Sequence, residues 1–74
     1  MTEIEFLAQS MAIGEERHYA PNWPYAVFKA RHGRWATKVE KAAAIEAVGS
    51  GAANPTPELM EWLADYWKRS FGTR

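Results

Sequence analysis

The chain has 74 residues, no cysteine, and nine basic against nine acidic side chains, so its formal charge is zero. That length suits one domain and excludes a nucleotide-binding sheet with a partner domain, a barrel or a helicase motor. The lack of cysteine excludes a disulfide framework and a thiolate-ligated zinc, and leaves the redox compartment open. A domain this small buries only about 60% of its unfolded surface, so it needs a dense core. Four Trp, three Tyr and three Phe supply one. The acidic start Met1-Thr2-Glu3-Ile4-Glu5 is unlike a secretory leader. No run approaches the roughly 20 apolar residues of a spanning helix. A cytoplasmic protein without membrane contact is expected.

The first element spans 3–18. Thr2-Glu3-Ile4-Glu5 has the form of a capping box, in which hydroxyl and carboxylate each satisfy an orphan backbone donor. Ile4, Leu7, Ala8 and Met11 follow the spacing of one buried helix face, which Phe6 and Ile13 widen. Gly14 is a weak point, where the helix is expected to end or bend. The second element is a helix over Trp23–His32, with Asn22 as N-cap, Pro24 tolerated in the first turn and Gly33 as the stop. Its expected inner face is Trp23, Ala26, Val27 and Ala30, flanked by Tyr25 and Phe28.

The third element opens on a second capping box, Thr37-Lys38-Val39-Glu40, and runs through alanines to Val48, where Gly49 closes it. Its apolar residues form no clean stripe, so a short, partly exposed helix is expected. Ser50 to Pro55 reads as a loop. The fourth element has the clearest signal. Thr56 is the N-cap, Pro57 follows at the first helical position, and Leu59, Trp62, Leu63 and Tyr66 form a buried stripe. Met60, Trp67 and Phe71 lie alongside, and Gly72 ends the helix. No segment alternates long enough for a strand. Residues 1–74 therefore read as a single all-α domain, a small bundle of three or four short helices around an aromatic core.

Zero net charge conceals segregation. Residues 1–28 sum to −3, residues 29–41 to +4 and residues 42–74 to −1. The basic segment carries Lys29, Arg31, Arg34, Lys38 and Lys41, with Trp35 among them. Such a cluster suits phosphate and base contacts; the plainer alternative is a solvated face with Trp35 folded into the core. Catalysis has little to stand on. His18 and His32 lack an evident nucleophile or carboxylate partner, and a position near a helix C-terminus is sufficient reason for His32. Two histidines alone make no metal site, and Gly49-Ser50-Gly51 lacks the length and lysine of a phosphate loop. No enzyme activity, cofactor or metal is expected. Trp62, Tyr66 and Trp67 are assigned to the core.

Residues 17–35, Arg17-His18-Tyr19-Ala20-Pro21-Asn22-Trp23-Pro24-Tyr25-Ala26-Val27-Phe28-Lys29-Ala30-Arg31-His32-Gly33-Arg34-Trp35, resemble the C-terminal segment of RadD-like bacterial and phage DEAD/DEAH-box helicases. The matching positions are Arg17, Tyr19, Pro21, Trp23, Phe28, Lys29, Gly33 and Trp35. Pro55, Pro57, Glu58 and Trp62 match its closing part. His18 and Asn22 stand where that pattern has glycine, His32 where it has an aromatic residue, and Ala36 where it has proline. The motor is absent from these residues, so the resemblance implies only the accessory role: a helical module that contacts DNA or a replication or repair partner.

The expected contact surface is Lys29, Arg31, Arg34, Trp35, Lys38 and Lys41. Charge reversal at Arg31 and Arg34 is expected to abolish DNA binding and leave the fold intact. Two alternatives stand beside this reading. One is a phage-type adaptor or inhibitor that binds a host or phage protein complex, with Glu58, Glu61 and Asp65 on an acidic arc. The other is a self-associating structural protein. The chain is expected as a monomer or a homodimer.

Overall fold

The computed structural model describes residues 2–51 and 53–71, except the side chains of 70 and 71. Four helices follow in order: α1 Glu3–Glu16, α2 Trp23–His32, α3 Lys38–Gly49 and α4 Pro57–Phe71. No strand occurs among the described residues. The all-α bundle expected from the sequence is the fold. The proposed stop at Gly72 lies outside the described residues.

α1 is the central element. Phe6, Leu7, Ala8, Gln9 and Ser10 are buried in succession, followed by Ile13 and Gly14. Five consecutive buried positions cover more than one full turn of about 3.6 residues, so α1 is enclosed on nearly every side. This corrects the expected single face: Ile4 is exposed, Met11 is half-buried, and the polar Gln9 and Ser10 are inside. Gln9 has a partner in the α4 start. Its Oε1 accepts from the Thr56 backbone N–H at 3.1 Å and from Thr56 Oγ1 at 3.3 Å.

The first box is half made. Thr2 Oγ1 accepts from Glu5 N at 3.1 Å, and no return bond from Glu5 is formed. Gly14 does not end α1, which runs through it to Glu16. It gives room to α2: a Cβ there would stand 3.3 Å from Trp23 Cε3. The helix stops two residues on, in a Schellman arrangement. Tyr19 N–H donates to Gly14 O at 2.9 Å and His18 N–H to Glu15 O at 3.4 Å. His18 supplies the left-handed residue, with φ 56°.

α2 has the expected bounds, and Gly33 ends it at φ 74°. Asn22 does not cap it. Its backbone is already helical and its side chain makes no capping bond. The entry is instead the tight turn in which Trp23 N–H donates to Ala20 O at 2.9 Å. Buried on α2 are Pro24, Val27 and Phe28, whereas Ala26 and Ala30 are exposed, so the inner face is rotated from the expected one. α2 runs antiparallel to α1: Phe28 and His32 meet Phe6, and Trp23 meets Gly14.

α3 is the short, partly exposed helix expected. Ala44 alone is fully buried, while Val39 is 76% and Ile45 59% exposed. Its capping box is complete. It runs one residue beyond the expected end, through Gly49, and the left-handed glycine that follows is Gly51 at φ 79°. α4 seats Leu59 and Leu63 fully in the core, with Met60, Trp62, Tyr66 and Trp67 packed partly against it. Thr56 Oγ1 accepts from Leu59 N at 3.4 Å, as an N-cap. Two aromatic groups result. Phe6, Phe28, His32 and Trp62 meet near the start of α1. Tyr19, Trp23 and Trp67 meet near its end.

Candidate nucleic-acid interface

The turn from α2 into α3 brings most of the sequence-proposed residues together, and it divides them by chemistry. The two arginines are engaged by carboxylates. Arg34 holds Glu40 in a two-point pair, Nη1 to Oε1 and Nη2 to Oε2, each at 2.8 Å. Its Nη2 also lies 3.6 Å from Glu3 on α1. Glu40 Oε1 accepts in turn from the Thr37 backbone N–H at 2.9 Å. One carboxylate thus closes the α3 cap and anchors Arg34. The Arg34 side-chain bond and the Thr37 backbone bond hold the Glu40 carboxyl down to about 2 from its usual 4.5. The bond to Glu40 raises Arg34 correspondingly.

Arg31 lies 3.7 Å from Glu58 and over the rings of Phe6 and Trp62, at 5.1 and 5.6 Å. It lids the first aromatic group and ties α2 to α4. A charge reversal at Arg31 or Arg34 therefore removes a structural contact along with a charge, contrary to the expectation of an untouched fold.

The lysines are arranged differently. Lys29 Nζ sits 4.7 Å from the Trp35 ring centroid, and Lys41 Nζ 4.9 Å from that of Tyr25. Tyr25 and Lys29 are four residues apart on α2, hence on one face. The order along the α2–α3 crevice is Trp35, Lys29, Tyr25, Lys41, alternating ring and ammonium. None of the three lysines forms an ion pair with a described residue. Lys38 stands apart from the strip, exposed on the outer side of α3.

Trp35 is 58% exposed, more than any other described aromatic residue, and is not folded into the core. Beyond Tyr25 the crevice opens into an apolar hollow of about 200 Å³ lined by Met11, Tyr19, Pro21, Pro24 and Ile45. In the sequence Tyr25 reads only as part of a flanking face. Its spacing of four from Lys29 is the signal that could have found it.

His32 Nδ1 lies 3.1 Å from the Phe28 carbonyl oxygen, at the helix end, and the ring packs between Phe6 and Phe28. That accounts for it structurally. Among the described residues no three His, Cys, Asp or Glu gather as metal ligands. No described helix is long and apolar enough to cross a membrane. Comparison with protein-family models, curated proteins and solved structures finds no match to the chain.

Proposed function

We propose that this chain is a non-enzymatic accessory binding module of nucleic-acid metabolism, and that it holds a single-stranded segment along the α2–α3 crevice. The observation that carries this reading is the strip of exposed Trp35 and Lys29 and half-buried Tyr25 and Lys41, whose ammonium groups have no carboxylate partner among the described residues. A single strand offers the complementary alternation: a base for each ring and a phosphate for each ammonium. The duplex backbone would need charge alone, and a neutral chain gives little long-range attraction. The resemblance of residues 17–35 to the helicase segment supports the same direction. Its Lys29 and Trp35 are two of the four strip residues, and position 18, where that pattern has glycine, takes a left-handed backbone.

The test is titration of a short fluorescent oligonucleotide at two salt concentrations. Trp35→Ala is expected to weaken binding by about 1–3 kcal/mol, the range for one stacked base, or roughly 5- to 150-fold. Lys29→Gln and Lys41→Gln are each expected to lower the salt slope by about 0.7, the single-strand value per neutralised phosphate. Salt-insensitive binding, or no binding, turns the assignment towards the protein-contact alternative.

A further inference from the structure

We propose that two copies of this chain associate through the outer face of α3, as an antiparallel pair whose twofold axis passes beside Ala42. It does not rest on the nucleic-acid reading, although the two surfaces adjoin: Ile45 also lines the hollow beyond Tyr25.

Among the described residues Val39, Ile45 and Trp35 are the three most exposed large hydrophobics. At about 100° per residue, Lys38, Val39, Ala42, Ile45 and Glu46 share an arc of roughly 120° centred on Ala42. That arc lies almost opposite Ala44, the buried point of the helix. All five residues are exposed. Neither Lys38 nor Glu46 has an ion-pair partner among the described residues.

The occupant follows from the order of charges along the face. Ala42 is midway between Lys38 and Glu46, and also midway between Val39 and Ile45. Reversing the helix about Ala42 therefore sets each Lys38 level with Glu46 of the second copy, and each Val39 level with its Ile45. At either end a Lys38 and a Glu46, each about 40° from Ala42, face each other across the seam, with Val39 and Ile45, about 60° from it, on the two flanks and an alanine small enough for close approach at the centre. A twofold axis makes both ends identical, so the contact closes as a dimer and does not propagate. One short helix buries less than the about 800 Å² per partner of a standard interface. The dimer is accordingly weak and exchanges with monomer.

Sedimentation over a concentration series tests this. The average mass is expected to rise from one chain towards two in the high micromolar range. Lys38→Glu and Glu46→Lys are each expected to weaken association at least severalfold, and the double variant to restore it. Each change places an acid near the N-terminus or a base near the C-terminus of α3, which favours the helix. Loss of association is therefore not loss of fold, and circular dichroism checks this. The chain has no cysteine, so Ala42→Cys gives a single thiol that a short bifunctional reagent is expected to link between copies. Glu61→Cys, on exposed α4 surface, is the control. The proposal is overturned by a monomer at every concentration, by a double variant no better than the single ones, by assembly beyond two chains, or by equal linking at 42 and 61.

Discussion

His18 is the one described non-glycine residue with positive φ, and it ends α1 where glycine is the usual solution. A residue with a Cβ in that conformation costs roughly 1–2 kcal/mol. Its ring is exposed, so nothing in the packing offsets this. His18→Gly is expected to stabilise the fold by about 1 kcal/mol, a rise in Tm of roughly 4–8 °C for a domain of this size, read by thermal unfolding. Glu40 carries the opposite lesson. Its depressed carboxyl contributes stability that is present above about 4.5 and lost as pH falls towards about 2. Glu40→Gln is expected to unfold at lower temperature than the native chain at neutral pH, with the gap closing through that window. A gap that persists at pH 2 would show that the charge is not the source.

Among the elements, α1 shows why tertiary structure overrides a local signal. Gly14 disfavours helix by about 1 kcal/mol relative to alanine, and sequence reasoning accordingly placed a break there. The helix continues because Trp23, held between Tyr19 and Trp67, needs the space above that Cα. Gly14→Val is expected to cost about 1–3 kcal/mol by overpacking, measurable by denaturant unfolding, although valine forms helix better than glycine. The caps of α3 and α4 and the glycine end of α2 were legible because they are bonds within a few residues. The inner faces of α1 and α2 were legible only in part. Periodicity assumes one buried side, whereas α1 has neighbours on nearly every side, and the rotation of α2 is set by Phe28 and His32 meeting Phe6. Gln9 gave no sequence signal at all, because its partner, Thr56, lies 47 residues away.

For the whole molecule, zero net charge resolves into three arrangements. Arg31 and Arg34 fasten helices to one another through Glu58, Glu40 and Glu3. Lys38 and Glu46 stand exposed on the outer side of α3. Lys29 and Lys41 lie on rings along the crevice. The basic segment was visible in the sequence, but its division was not, since a charge count cannot say which cations already hold a carboxylate. The measurement that tests the central claim most directly is the salt dependence of oligonucleotide binding, compared between the native chain and the Lys29→Gln/Lys41→Gln double variant. Binding that weakens with salt in the native chain, with a slope shallower by about 1.4 in the double variant, is the expected result. Equal slopes, or no binding by the native chain at low salt, would contradict it.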